Sequence, residues 1–563
     1  MQLPGVSPFP PEFAARYRER GYWEDKPLVS HYLASFEKWP DRVALIDDQE
    51  TVTYSELATR AEQTARNLLD LGLQPLDRVV VQLPNTALFA SFYIALQHIG
   101  AVPIMALPSH RFREVEQFVR LSGAVALATP ASAKDADFRS IFTRVRAEQP
   151  SLRLHVLQGI EADTGTAALA DAAGPVTVRL EELHTRTPQA TDSALRALTA
   201  GIDAEDPAVF QLSGGTTGIP KLIPRSHNDY AFNSYLANTV CDIREGDVLL
   251  DVLPVSHNLP LACPGMQGFL FAGATVAMSV STRSSNIFTR IARDRGTHMH
   301  VVPALLIKLV NDPTAVEFDL ASMRVIQSGG QRLQPETRTR AEKVFPSATV
   351  QENFGMAEGL LMFVRLDDPA QVRLETVGRP ICPDDEVRIV DEAGADVMDG
   401  EVGELWTRGP YTLRGYYNAP EHNARAFSAD GYYMSGDLMW RHPSGNYVVA
   451  GRKKDLINRG GEKISAEEIE NLVLTHPAVV NVACIPVDDD ILGEKMCACV
   501  ILRPGQALTL PELVAHLASL EVARHKLPEY LHEYDEFPLS PVGKVSKKDL
   551  VAELRDLAHR SVP

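Results

Sequence analysis

Apolar and polar positions along this chain alternate with two different periods. In Tyr54–Leu73 (YSELATRAEQTARNLLDLGL) the apolar residues fall at helical spacing, which predicts an amphipathic helix. The short run Arg78–Leu83 (RVVVQL) follows as a strand, and the same rhythm returns through Ala101–Leu107 and Thr275–Ser279. Such alternation predicts an α/β fold of parallel sheets covered by helices. Between Ala133 and Ala204 the chain turns polar and rich in Ala, Thr and Asp, so surface loops and a peripheral helix are expected there. After Gly378 the pattern shifts to short strands broken by Gly and Asp, DEVRIVDEAG and GEVGELWTRG, as hairpins of a β subdomain would show.

A basic turn, Gly451-Arg452-Lys453-Lys454-Asp455, then precedes a fresh unit. Ser465 and Glu468 are spaced as a capping box ahead of IENLVL, strands are expected at Val479–Pro486 and Met496–Leu502, and Thr509 with Glu512 opens another helix. Two domains result. Residues 1–453 form a large N-terminal domain of helix-covered β-sheets plus a β subdomain, and residues 454–563 form a small C-terminal α+β domain of about 110 residues. No internal repeat or low-complexity tract interrupts them.

Composition narrows the possible partners. At 563 residues the chain exceeds what one core normally supports. Its 55 Lys plus Arg against 73 Asp plus Glu give a formal charge of −18, which argues against a nucleic-acid partner but leaves small anions to local clusters. Six cysteines (Cys241, Cys263, Cys382, Cys484, Cys497, Cys499) include no C-x-x-C pair, so neither a disulfide framework nor a structural zinc is indicated. Cys497 and Cys499 alternate in MCACVIL and are expected on one face of a strand. The start MQLPGVSPFPPEF lacks a basic, apolar leader and no apolar run reaches spanning length, so cytoplasmic residence without a membrane partner is expected.

Several stretches carry potential chemistry. Ser213–Ile223 (SGGTTGIPKLI) sets three glycines, hydroxyls and a lysine directly after an apolar strand, where backbone N–H groups could approach a phosphate. It is not a Walker A loop, since Lys221 follows Pro220 and Leu222 stands where a Ser or Thr would hold magnesium. A plain turn is the bland alternative. Glu358 in NFGMAEG is either a metal-binding carboxylate or a solvated loop residue, and Asp437 in YYMSGDL either a ribose ligand or a turn former. GRKKDLINRGGEKI (451–464) is a phosphate-neutralising cluster or a charged hinge, and Lys544 in LSPVGKV is by itself surface decoration.

Taken together and in this order, these stretches resemble the adenylate-forming acyl and aryl acid ligases, and the resemblance runs from about Trp23 to the end. FQLSGGTTGIPKLIPRSHNDY, RPICPDDEV, RGPYTLRGYY and INRGGEKISAEEIENL look like the stand-alone aryl acid–AMP ligases of siderophore assembly. The resemblance implies ATP and Mg2+ as cofactors. Ser213, Gly214, Thr216, Thr217 and Lys221 would grip the triphosphate, Glu358 would hold magnesium, and Asp437 with Arg452 would take the ribose. Gly330, Asn353 and Ala357 would line the adenylate cleft. Lys544 would bridge carboxylate and α-phosphate, and Lys454 would be the hinge about which a mobile C-terminal domain turns.

For the acid, SHNLPLACPG supplies His257, Asn258 and Cys263. In the resembling enzymes the Asn meets the carboxylate and ortho hydroxyl, Ser at the Cys263 position suits a 3-hydroxyl, and Cys belongs to salicylate enzymes. Leu259 departs from that subgroup, which has an aromatic there, so a larger or substituted aryl acid stays open. The expected activity is a salicylate–AMP ligase passing its acyl group to a phosphopantetheinylated aryl carrier protein supplied in trans. The alternatives are a 2,3-dihydroxybenzoate–AMP ligase, an aryl-CoA ligase using CoA, or a binding protein that has lost activity. A nucleophilic Cys263 paired with His257 is a sharper rival for which the sequence shows no orienting group.

Overall fold

The computed structural model of the chain describes residues 3–133, 136–159, 175–213, 220–330, 333, 335–460, 462–489, 491–520, 522–540 and 544–560. Two mainly parallel sheets carry the large unit. One runs Arg379–Pro380, Leu361–Phe363, Thr349–Gly355, Val325–Gly329, His298–Val301, Val248–Asp251, Thr275–Met278, Val43–Ile46, Thr51–Thr53, with antiparallel pairings confined to its two ends. The other runs Leu222–Ser226, Pro207–Leu212, Val102–Met105, Arg78–Val81, Ala126–Pro130, Leu154–Gln158, Val176–Arg179, and only the first pair is antiparallel. The helix Tyr54–Asp70 opens on a complete capping box between Thr53 and Glu56 and buries Leu57, Ala61, Ala65 and Leu68. It stops two residues before Gly72, whose φ of +84° suits glycine.

The segment between Ala133 and Ala204 departs from expectation. Its helix Asp192–Ala200 is peripheral, with only Leu195 buried, but Leu154–Gln158 and Val176–Arg179 extend the second sheet by two parallel strands. The strand LHVLQ has an imidazole at its second position that reads as polar. In the fold His155 is buried and stacks on Phe142 at 4.2 Å between ring centres.

Glu386–Val390, Gly403–Arg408, Tyr433–Arg441 and Tyr447–Arg452 form an antiparallel meander, the β subdomain. A 3-10 turn, Lys453–Asp455, leads into a separate sheet of Glu462–Ser465, Leu456–Arg459, Gly493–Leu502, Val479–Asp489 and Tyr530–Glu533, packed with helices Ala466–Val473, Leu510–Ser519 and Lys547–Arg560. Thr509 and Glu512 make the predicted reciprocal box. Ser465 caps Glu468 N–H at 3.2 Å, but the Glu468 carboxylate turns to Lys526 Nζ at 2.7 Å, so the return half of that box is replaced by an ion pair. Cys497 and Cys499 share one buried face with Ala483, Ile485 and Leu550. Among the described residues no helix is long and apolar enough to cross a membrane.

Candidate active site

The glycine-rich strip joins the antiparallel strands Pro207–Leu212 and Leu222–Ser226. At its mouth Ser213 N–H donates to Lys221 O (3.0 Å) and Lys221 N–H to Ser213 Oγ (2.9 Å). Gly214, Thr216 and Thr217 lie outside the described residues. The Lys221 ammonium sits 5.7 Å from the ring centre of Tyr416, whose hydroxyl donates to Glu358 Oε1 at 2.7 Å and lies 2.9 Å from Tyr433 Oη. Tyr416 therefore brings Lys221 and Glu358 into one neighbourhood. Burial pushes the Glu358 carboxyl above the usual carboxylate range, with the Tyr416 bond and Arg452 pulling the other way.

Asp437 and Arg452 face each other across adjacent strands of the meander, which fixes their pairing by register. Arg452 Nε reaches Asp437 Oδ1 at 2.7 Å, and Asp437 is almost fully buried. Burial raises the Asp437 carboxyl, and Arg452 and Lys544 counter that shift. Gly330, with φ +87°, ends the strand Val325–Gly329, and a Cβ there would come within 2.5 Å of Lys544 Cε and 3.0 Å of its Nζ. The terminal unit's lysine thus lies against the large unit's strand ends. Its pKa is pushed down to about 8 by burial and by Arg452 and Lys454, with Asp437 opposing. Asn353 pairs in register with Gly329, and its Nδ2 is buried with no hydrogen-bond partner among the described residues. Burial and the charge of Lys544 hold His257 down to about 4, so that imidazole is neutral.

Beyond His257 lies a buried polar chain. Gln211 Nε2 donates to Tyr230 Oη (3.0 Å), Tyr230 donates to Asn258 Oδ1 (2.9 Å), Asn258 Nδ2 faces Cys263 Sγ (3.3 Å), and Sγ faces Asn233 Oδ1 (3.7 Å). Arg225, wholly buried, donates to Asn233 Oδ1 (3.1 Å), Asp229 Oδ1 (2.8 Å) and Ala357 O (3.2 Å), so it ties the Ala357–Glu358 loop to this pocket. The Cys263 thiol is pushed up to about 12 by burial and among the described residues hydrogen-bonds only Asn258 and Asn233, not an imidazole, which argues against the Cys–His nucleophile. Lys454 lies in the turn Lys453–Asp455, between the meander and the terminal sheet.

Sequence reasoning singled out Lys544, Gly330, Asp437, Arg452 and His257, and the fold gathers them. It missed Tyr416, Tyr230, Arg225 and Asn233. For Arg225 a signal was present, a charged residue directly after the apolar Leu222, Ile223 and Pro224 of the same strand.

The small unit's lysine thus enters at the carboxyl end of one of the large unit's parallel strands, the place where open α/β sheets bind their ligands. The chain belongs to the AMP-binding enzyme family: the model of the AMP-binding enzyme matches residues 33–417, and that of the AMP-binding enzyme C-terminal domain matches 468–544. It is 43% identical over 98% of its own length to a salicylyl-CoA synthase / salicylate adenylyltransferase of Streptomyces, 98% of which is covered. It is 39% identical to the 2,3-dihydroxybenzoate-AMP ligase of Bacillus subtilis, with 97% of each chain covered. The apo structure of MbtA from Mycobacterium smegmatis superposes with a TM-score of 0.72 at 39% identity, over 98% of this chain and 99% of that one. The chain is therefore a ligase similar to the aryl acid–AMP ligases.

Proposed function

We propose that this protein joins salicylate to AMP, releasing pyrophosphate, and then passes the salicyl group to the phosphopantetheine thiol of a separate aryl carrier protein. The observation that carries the reading is Lys544, buried against Gly330 and within electrostatic reach of both Asp437 and His257. Both partners of the first step are anions, so the barrier falls chiefly by charge neutralisation and alignment. In this reading Lys544 bridges the acid's carboxylate and the α-phosphate, and the carboxylate oxygen displaces pyrophosphate in line. Ser213 and Lys221 at the hairpin mouth, with Gly214, Thr216 and Thr217, hold the outer phosphates. Asp437 accepts from the ribose hydroxyls while Arg452 fixes its carboxylate, and Asn353 offers its unpaired Nδ2 beside the strand end at Gly330.

The residues present fit magnesium. Glu358 has one carboxylate oxygen occupied by Tyr416 and lies near Lys221, and Mg2+ bound to nucleotide commonly takes one or two carboxylates. When bound, the ion would neutralise phosphate charge there. Asn258 would orient the acid's carboxylate and ortho hydroxyl, and Cys263, a weak hydrogen-bond partner, favours an unsubstituted ring edge over a catechol.

In the second half-reaction the thiol attacks the acyl carbon and AMP leaves. Free CoA is the second reading of the acceptor, favoured by the name of the Streptomyces relative. ATP–pyrophosphate exchange tests the substrate: salicylate is expected to exceed 2,3-dihydroxybenzoate in kcat/KM by about 10-fold, a difference of about 1–2 kcal/mol. A preference for the catechol would sink the assignment. Thioester formation with holo carrier protein against CoA, at equal concentration, decides the acceptor.

A further inference from the structure

Resting on the aryl acid reading above, we propose that Asn233, held by Arg225, is a positioning residue that commits the Cys263 thiol proton and thereby sets selectivity against a ring 3-hydroxyl. The direction of every bond in the chain follows from groups that can act in only one way. A guanidinium only donates, so the Asn233 atom 3.1 Å from Arg225 Nη2 is its carbonyl oxygen. The other end of the same amide lies 2.8 Å from Ala262 O, which only accepts. Two independent neighbours therefore fix the amide, and Cys263 Sγ, 3.7 Å from Oδ1, has to be the donor.

From the opposite side, Gln211 Nε2 donates to Tyr230 Oη, which leaves the Tyr230 proton for Asn258 Oδ1. Asn258 thus presents Nδ2 to the sulfur. The thiol sends its single proton to Asn233 and accepts from Asn258. A ring hydroxyl brought against Cys263 would meet no donor, only a weak acceptor already engaged, whereas a bare ring edge loses nothing. Arg225 holds the arrangement through Asp229, which also accepts from Ser226 N–H at 2.7 Å and so ties the guanidinium to the start of helix His227–Val240.

The test is the ratio of kcat/KM for salicylate over 2,3-dihydroxybenzoate, read by ATP–pyrophosphate exchange on the full chain. Asn233→Ala is expected to lower the ratio about three- to tenfold, through KM rather than kcat. In a Cys263→Ala background, removing Asn233 should leave the ratio where Cys263→Ala set it. Equal loss on both acids, or a shift that persists without the thiol, overturns the inference. Asn233→Ser carries the same comparison if Asn233→Ala does not fold. A wild-type chain that activates neither acid overturns the aryl acid reading instead, a result distinct from an unmoved ratio.

Discussion

Lys544 is the residue on which the proposed chemistry turns, and its environment makes sharp demands. With the pKa held near 8 by burial and by Arg452 and Lys454, the bridging ammonium is present below that pH and lost above it. kcat/KM for adenylation should therefore fall as pH rises through about 8, and a profile flat to pH 9.5 would contradict the bridging role. Lys544→Ala should cut adenylation by about 100- to 1000-fold while leaving thioester formation from supplied salicyl-AMP largely intact, measured as two separate half-reactions. Tyr416 sets a second pH limit. Its hydroxyl holds the Glu358 carboxyl below where burial alone would put it, so Tyr416→Phe should move the acid limb of the profile to higher pH. An unmoved limb would show that Glu358 does not titrate in the reaction.

At the scale of elements, local signals were readable where a few neighbouring residues decide the outcome. The helix Tyr54–Asp70 and the box at Thr509 and Glu512 follow from spacing alone. Thr509→Ala should lower stability by about 0.5–2 kcal/mol in chemical denaturation, without changing the exchange rate of the adenylation step. Where a distant partner competes, the sequence misleads, as Lys526 does when it draws the Glu468 carboxylate from its expected cap. The strand Leu154–Gln158 was invisible because five residues with a histidine at the second position show no clear period, and parallel neighbours rather than propensity hold it in place. The site divides in the same way. Motif residues such as Asp437 stood out beside glycines, whereas Tyr416, Tyr230 and Asn233 are defined by partners 8 to 58 positions away. No local pattern could have flagged those three.

For the whole molecule, the junction between units combines that lysine with a few polar contacts, among them Ser465 Oγ donating to Ala450 O at 2.5 Å. Arg503 Nη2 meets Glu336 Oε1 at 2.8 Å, but the pair is solvent-exposed and worth at most about 1 kcal/mol. A buried lysine also leaves a mark on stability. Between about pH 8 and its ordinary value of 10.5 the unfolded chain binds a proton at Lys544 that the folded chain has released, so stability should rise with pH across that window. Denaturant melts at pH 8 and pH 10 should show this rise in the wild type and a smaller one in Lys544→Met; equal slopes would place the lysine in water. The cleft, moreover, crowds Arg452, Lys454 and Lys544 together, with Asp437, Asp455 and Glu358 as carboxylates set against them. Like poles of a magnet pressed together, these cations store repulsion that an incoming triphosphate would relieve and a departing pyrophosphate would restore. Under the proposed function the docked arrangement would act as an electrostatic spring, loaded again each time pyrophosphate leaves.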